Sequence, residues 1–435
     1  MANPESFKVI IAGGGIAGLA LANALEKAGV DFLLLEKREI APQTGASIII
    51  QCHTARILEQ LGIWREICAA TFSLEGRLHF DERGNLFDSS PIFKLVEETT
   101  RRPIVLIERR FFLDTLYNCL KDKSRVLTNI GVASFWEDEH GITVITDHGD
   151  SIRGSILVAA DGVHSTIRGL LASAVSETDP ERFQYLTKGF TSSYRAVFGT
   201  SANGLRDGST RPLLPEGIVH HVYHRNVSGL AAAGAKGLLF WFLFIKEENP
   251  STTPNCPRYT ETDTIETIEK YGNLFACPGY TFRDLWGARS HAGMVSMEEG
   301  VVQGPWNNGG RVVLVGDSIC KTTVNSGFGG NLAVEGVCNL VNRLVSLLQR
   351  NQTPTTKDIV ATFDRYEQAQ RPRADISVKI SHSTTRYESM DSLWLRFLRW
   401  LSPWVPLSYQ VKRFLSYMNP APILEFLPDP DSGRH

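Results

Sequence analysis

A glycine-rich turn close to the first residue constrains the fold of this chain more than any other feature of its sequence. The turn has the spacing Gly13-x-Gly15-x-x-Gly18 and separates an apolar segment, 7–12, from an Ala- and Leu-rich segment, 16–28. The first segment is typical of a buried parallel strand and the second of a helix. In such a turn the first glycine permits the tight bend, the second lets backbone N–H groups approach a pyrophosphate, and the third allows close helix–strand packing.

A second strand with an acidic end completes this unit. Residues 31–36 form an apolar segment that ends at Glu36, where a carboxylate that binds a ribose is expected. A glycine-rich turn alone also occurs in α/β proteins that bind no nucleotide. Because strand, turn, helix, strand and carboxylate follow one another in the required order, the sequence predicts a dinucleotide site here.

A second motif, Asp161-Gly162-x-x-Ser165-x-x-Arg168, follows an apolar segment over 151–159 that is predicted to be one strand. A helix is predicted to begin after it. Ser165 and Arg168 could bind phosphates or could hold the turn, because Asp and Ser are also common residues at a helix start. The motif itself leaves both interpretations open.

A third motif places an acidic residue, Asp317, after a buried strand over 311–316. Asp317 could accept hydrogen bonds from a ribose or ribityl chain. A helix over 331–349 follows, and its positive end would stabilise negative charge on a reduced flavin. The turn before this helix is rich in small and amide residues: Gly327, Gly329, Gly330 and Asn331. The alternative is that this segment is a second Gly-rich turn that binds no ligand.

Composition excludes several classes of partner. The 435 residues carry a net charge of −2, so no general attraction to nucleic acid is expected. The seven cysteines form no C-x-x-C pair, so neither a metal site nor a disulfide framework is predicted, and a reducing, intracellular compartment is expected.

The three motifs, in this order, resemble those of the single-component FAD-dependent monooxygenases with the para-hydroxybenzoate-hydroxylase fold, and the resemblance covers residues 7–380. Within that family the chain is most similar to the fungal FAD-dependent epoxidases of meroterpenoid and indole-diterpene pathways. The segments that carry the closer resemblance are Gly45-Ala-Ser-Ile48, Glu108-Arg109, Tyr194-Arg195-x-x-Phe198-Gly199, Gly316-Asp-Ser318, Lys321-Thr-x-x-Asn325, Gly329-Gly-Asn331 and Phe426-Leu-Pro428.

The resemblance implies a tightly held FAD, transient NADPH, and an apolar small-molecule substrate. It implies that O2 epoxidises an alkene of a terpenoid-like secondary metabolite, with aromatic hydroxylation as the alternative within the class. It places Arg195 and Tyr223 on the substrate side of the flavin as the catalytic positions. The expected cofactor-binding residues are Gly13, Gly15, Gly18, Glu36, Ile49, Arg109, Asp161, Asp317, Gly329, Gly330 and Asn331.

The fold class expected from these features is α/β. A Rossmann-like FAD-binding domain is interleaved with a sheet-rich substrate domain, and a helical part ends the chain. The predicted FAD-binding parts are 1–185 and 301–385, the substrate-binding sheet region is 186–300, and the apolar helical tail is 386–435. Helices are predicted over 109–122 and 356–382.

Three positions depart from the family pattern. Ile49 replaces a glycine, Cys320 a histidine and Val324 a proline, all expected close to the flavin. A second hypothesis follows, in which the fold acts as a non-redox cyclase or isomerase with an altered flavin site.

The tail over 393–418 holds several tryptophans and leucines together with arginines and lysines, and prolines interrupt it. It is too charged and too broken to predict a membrane span. It is expected to pack as a helical pair or to touch a membrane peripherally. The protein is accordingly expected in the cytoplasm or at a membrane surface.

Overall fold

The structure, a computed structural model, describes residues 7–42, 45–204, 214–234 and 237–432. The outermost parts of the first and last predicted segments, 1–6 and 433–435, lie outside these ranges. The strands, in chain order, are β1 (Lys8–Ala12), β2 (Asp31–Glu36), β3 (Ser47–Ile50), β4 (Gly76–Phe80), β5 (Leu86–Ser90), β6 (Val105–Glu108), β7 (Val126–Thr128), β8 (Val132–Asp138), β9 (Gly141–Thr146), β10 (Ser151–Gly154), β11 (Ile156–Ala159), β12 (Thr191–Ala202), β13 (Ile218–His224), β14 (Val227–Ala233), β15 (Leu238–Thr252), β16 (Phe275–Cys277), β17 (Tyr280–Thr281), β18 (Arg289–Val301), β19 (Val312–Leu314) and β20 (Cys320–Lys321). The helices are α1 (Ile16–Ala28), α2 (Cys52–Leu61), α3 (Trp64–Ala69), α4 (Ile92–Thr100), α5 (Arg109–Asn118), α6 (Thr166–Val175), α7 (Pro180–Thr187), α8 (Glu261–Tyr271), α9 (Phe282–Gly287), α10 (Gly329–Arg350), α11 (Thr356–Glu388), α12 (Leu393–Leu401) and α13 (Leu407–Met418).

A five-stranded parallel sheet with the order β19-β11-β1-β2-β7 carries the nucleotide-type motifs. Strand β11 and the last four residues of β1 are buried, which explains their continuous apolar runs. Helix α1 follows β1 directly and ends at Gly29, whose φ of 69° is left-handed. The chain order reverses beside β1, and in open α/β sheets a crevice for ligands forms at such a point. The predicted α/β fold class is confirmed.

Two predicted elements differ from the structure. The segment 151–159 is not one strand, because it leaves its hairpin partner β9 after Gly154 and joins the parallel sheet as β11. Ser155 stands where the chain changes sheet. Its backbone N–H donates to the carbonyl of Lys8, and its hydroxyl oxygen accepts the backbone N–H of Lys8. The helix predicted over 109–122 ends at Asn118, and the Glu26 carboxylate accepts the backbone N–H groups of Lys121 and Asp122 in place of helix carbonyls.

An eight-stranded sheet with the order β20-β18-β12-β15-β14-β13-β4-β5 forms the second layer. Its edge strands β4 and β5 come from before residue 186, so the sheet extends beyond the predicted sheet region. Along β15 alternate side chains point to opposite faces. Phe242 and Phe244 lie in one buried core cluster, and Trp241 and Leu243 lie in another on the reverse face.

Two long helices, α10 and α11, pack against each other, α10 also packs on α1, and α11 continues to Glu388, beyond its predicted end at 382. The tail consists of two short helices. Helix α12 buries none of its residues, whereas α13 buries Tyr417 and Met418. Among the described residues, no helix combines the length and apolar character needed to cross a bilayer.

Candidate functional site

A single continuous cavity of about 510 Å³ extends from the glycine-rich turns to the large sheet. Gly15 and Gly330 line one end, where the parallel sheet meets the N-termini of α1 and α10. Val219 and Phe242 line the other end, on the face of the large sheet. The cavity therefore joins a glycine-rich groove to an apolar pocket.

The three glycines of the first motif have different physical roles. Gly13 has a φ of 106°, and a Cβ atom added to it would lie 2.5 Å from the carbonyl oxygen of Ala160. A Cβ on Gly18 would collide with the backbone of Gly13. A Cβ on Gly15 would meet no atom of the described residues within 4 Å, and Gly15 lines the cavity. The fold thus requires Gly13 and Gly18, while Gly15 leaves open space for a ligand at the N-terminus of α1.

Glu36 lies beside this turn, as predicted, and its carboxylate orders the loop. Its Oε2 accepts the backbone N–H of Gly14 at 2.6 Å, and its Oε1 accepts that of Arg38 at 2.9 Å. A carboxylate oxygen accepts more than one hydrogen bond, so both oxygens retain capacity for ribose hydroxyls.

The second motif mainly holds the chain together. Ser165 caps α6 by accepting the N–H of Arg168 at 2.9 Å. The Arg168 guanidinium donates to the backbone carbonyls of Leu186, Ser318 and Val163. Of the two open interpretations, the structure thus supports the one in which Ser165 and Arg168 hold the turn.

Asp161 of the same motif differs from Ser165 and Arg168. Its Oδ1 is buried and has no hydrogen-bond partner among the described residues, and burial raises the pKa of this carboxyl.

Charged side chains line the groove near the third motif. Asp317 forms an ion pair with Lys321, and both line the cavity together with Arg109. Arg109 lies over Gly45, where an added Cβ would be 3.1 Å from its Cδ. Burial lowers the pKa of Arg109, while the charge of Asp317 opposes this effect. Predicted residues from four separate segments are thereby brought to one groove, which Gly329 and Gly330 also line.

Asn331 requires a correction, because it does not line the cavity. Its amide donates to the carbonyls of Ile49 at 2.8 Å and Gly327 at 2.7 Å, and its Oδ1 accepts the N–H of Gln51 at 3.0 Å. All these partners are backbone groups. Asn331 therefore clamps β3 to the glycine-rich turn and does not face a cofactor.

Two of the three unusual residues lie at the cavity. Ile49 and Val324 line it, and a methyl group of Ile49 packs directly against Gly327. Cys320 instead belongs to the buried core beneath the parallel sheet, and burial raises the pKa of its thiol. The expectation that all three changes cluster at the flavin is wrong for Cys320.

Arg195 was expected to face the substrate, and the structure corrects this placement. Its neighbours Tyr194 and Ala196 belong to the core cluster on the cavity side of the sheet, so Arg195 points to the reverse face. There its guanidinium bonds to both carboxylate oxygens of Glu247 at 2.8 Å.

Tyr223 lies on the cavity side of β13 but does not reach the cavity. Its hydroxyl is 2.9 Å from Nδ1 of His79, and burial raises the pKa of the phenol well above its usual value. His221, two residues earlier, lines the cavity in its place. Tyr223 was expected to face the substrate, but its side chain is buried behind the wall of the cavity and does not line it.

A polar group lies at the apolar end, formed by Arg77, His221, Asn325 and Glu388, and of these only Asn325 belongs to a segment that was singled out in the sequence. Oε1 of Glu388 lies 3.1 Å from Nδ1 of His221, and Oε2 accepts a hydrogen bond from Asn325 at 2.5 Å. For Arg77 and His221 the available signal was the alternation of residues along β4 and β13, whereas Glu388 lies beyond the predicted end of its helix.

The groove fits an FAD. Gly15 leaves space beside the N-terminus of α1, where a pyrophosphate is stabilised. Arg109 and Lys321 supply positive charge. The buried Oγ1 of Thr322 and Oε1 of Gln51, in residues that line the cavity, have no hydrogen-bond partner among the described residues and are suited to bind a polar ligand.

Comparisons with known proteins agree with this geometry. A family model described as the FAD binding domain matches residues 6–193. The chain is 33% identical to the FAD-dependent monooxygenase cdmI of Talaromyces verruculosus over 99% of this chain and 89% of that protein. It is also 33% identical to the FAD-dependent monooxygenase ausM of Penicillium brasilianum, over 88% of this chain and 78% of that one. Klebsiella pneumoniae HpxO complexed with FAD and uric acid has a similar fold, with a TM-score of 0.75 at 18% identity, covering 97% of this chain and 98% of that chain.

Proposed function

Because this chain belongs to the FAD-dependent monooxygenases, we propose that it transfers one oxygen atom of O2 to an alkene of an apolar, terpenoid-like metabolite, forming an epoxide. NADPH is the proposed transient reductant. The observation that carries the proposal is the continuity of the cavity, which joins the glycine-rich groove to an apolar pocket. When bound, reduced FAD supplies the chemistry that activates O2.

The chain contributes binding, orientation and the exclusion of water. Gly15, Arg109 and Asp317 would hold the cofactor in the groove. Most of the wall that would surround the substrate is apolar: Phe93, Val219, Leu230, Ala232, Phe242 and Phe244. Such walls favour an apolar ligand and keep water from the reacting atoms.

Oxygen transfer is tested with isotopically labelled O2 and farnesylacetone, an isoprenoid ketone with several alkenes. The proposal predicts an epoxide that contains one labelled oxygen, with one NADPH and one O2 consumed per product. A product isomeric with the probe, formed without O2 and NADPH, would instead establish the cyclase or isomerase alternative.

We also propose that the tail rests on an anionic membrane surface. Four large apolar residues of the tail are at least 60% exposed: Leu393, Trp394, Trp400 and Trp404. The aromatic rings form a row, with the Trp400 and Trp404 centroids 5.0 Å apart, and Lys412 and Arg413 are exposed close by in the sequence. Exposed tryptophans beside basic residues are typical of helices that bind the membrane interface.

The tail also reaches the cavity, because Phe414 of α13 lines it and contacts Phe93. A membrane surface at this position would deliver an apolar substrate next to its pocket. The proposal thus connects the exposed tryptophans with the apolar wall of the cavity.

Replacing both Trp400 and Trp404 by serine is expected to weaken binding to phosphatidylserine-containing vesicles at least about tenfold, because two interfacial aromatic anchors are lost. Vesicle sedimentation measures the effect. Trp136→Ser is the matched control, since Trp136 is 52% exposed but lies on β8, far from the tail in sequence. Equal sedimentation of the double variant and the wild type would contradict membrane docking through this tail.

A further inference from the structure

Arg77 is a cation at the mostly apolar end of the cavity, and among the described residues its side chain has no hydrogen-bond acceptor. It lies on β4 opposite Val219 and lines the cavity. Its guanidinium carbon is 5.6 Å from the centre of the Phe93 ring. Its Nε is buried, and no side-chain hydrogen bond or ion pair of Arg77 is found among the described residues.

The other buried arginines of the fold show what a purely structural arginine looks like here. Arg168 donates to three backbone carbonyls, and Arg373 bonds to both oxygens of Glu335. Arg77 is only partly buried, but its Nε–H is enclosed without an acceptor, which costs free energy because that donor loses water without replacement. Burial accordingly lowers the pKa of Arg77.

Neighbouring groups do not supply the missing acceptor. Glu388 is already engaged by His221 and Asn325. Burial keeps the phenol of Tyr223 neutral by raising its pKa, and the negative charges of Glu388 and Asp88 act on Arg77 only at longer range. The negative charges of Glu388 and Asp88 would repel a carboxylate on a ligand. An uncharged acceptor oxygen therefore fits this place best.

We propose that Arg77 binds a carbonyl oxygen of the substrate, a ketone or a lactone, and so fixes which end of the apolar molecule points toward the flavin groove. This inference rests on the proposed function, since it concerns the same pocket. Stacking on Phe93 holds the guanidinium fork, and the fork donates two N–H groups to one oxygen. Arg77 is thus a specificity-determining residue.

The test compares two isoprenoid probes: farnesylacetone, which has a ketone, and β-farnesene, a hydrocarbon that has none. Affinity is measured from the change in flavin absorbance of the FAD-loaded protein, so the result does not depend on oxygen transfer. Arg77→Met is expected to weaken farnesylacetone binding at least about tenfold and to leave β-farnesene binding unchanged. Arg77→Lys is expected to recover only part of the loss, because the fork is gone.

A second readout separates recognition from a structural role. Without ligand, Arg77→Met is expected to match or exceed the wild type in Tm, because a donor that is buried without an acceptor has been removed. Arg289→Met is the matched control, since Arg289 is a sheet arginine that stacks on Trp286 and donates to its carbonyl, outside the cavity. It should leave both affinities unchanged. Unchanged farnesylacetone binding in Arg77→Met, or equal loss of both probes with a lowered Tm, would overturn the proposal.

Discussion

Replacing Gly15 by valine is expected to give a protein that folds but purifies without FAD. Gly15 has an ordinary φ of −76°, and an added Cβ meets no described atom within 4 Å, so the fold itself accepts a side chain there. The added methyl groups would occupy the space that a pyrophosphate needs at the N-terminus of α1. Binding of FAD should weaken at least about tenfold, or about 1.4 kcal/mol.

Gly13→Ala provides the contrasting control. Its φ of 106° and the nearby carbonyl of Ala160 mean that the alanine strains the backbone, so Tm and FAD content should fall together. The ratio of flavin to protein absorbance and thermal unfolding are measured for both variants. A Gly15→Val protein that retains FAD at the wild-type ratio would contradict the cofactor position.

The largest expected loss of stability follows from Glu335→Ala. Glu335 is fully buried on α10, with Oε1 2.8 Å from Nε2 of His53 and Oε2 2.8 Å from Nε of Arg373. Its removal leaves a mostly buried guanidinium without its counter-ion, which costs about 3–5 kcal/mol. Urea unfolding should show this loss, while Glu266→Ala, at an exposed position on α8, should change stability by less than about 0.5 kcal/mol.

The same residue predicts a dependence on pH. Burial alone would raise the pKa of Glu335, but His53 and Arg373 outweigh burial and hold it below its usual value. A carboxyl whose pKa is lower in the folded state stabilises the fold above its unfolded pKa, about 4.3, and this contribution is lost as pH falls toward the folded value. Acidification below about pH 4 should therefore destabilise the wild type more than Glu335→Ala. If acidification lowers the free energy of unfolding of the wild type and of Glu335→Ala equally, the ion pair contributes little.

The sequence predicted the parts of the fold that depend on neighbouring residues. The β1-α1-β2 unit was predicted because strand, glycine turn and helix signals lie within about thirty residues. The change of sheet at Ser155 was missed because it depends on Lys8, more than a hundred residues away. Local patterns do not record such long-range pairing.

The same reason explains which site residues could be found. Alternation along β12 predicts that Tyr194 and Arg195 face opposite sides, but only the packed sheet decides that Arg195 faces Glu247. Arg77 and Glu388 belong to different elements, and folding alone brings them to one cavity. Asn331 lies in the third motif, on α10, yet its role as a backbone clamp depends on Ile49, which lies far away in the sequence on β3.

Anaerobic titration of the purified protein with NADPH, followed by admission of air, tests most directly whether this chain uses FAD to activate O2. The expected protein is yellow, loses its flavin absorption as NADPH is added, and regains it when O2 enters, with farnesylacetone accelerating the loss. The flavin released by denaturation should be FAD in a ratio of one per chain. A colourless protein, or a bound flavin that NADPH does not reduce, would contradict the monooxygenase function.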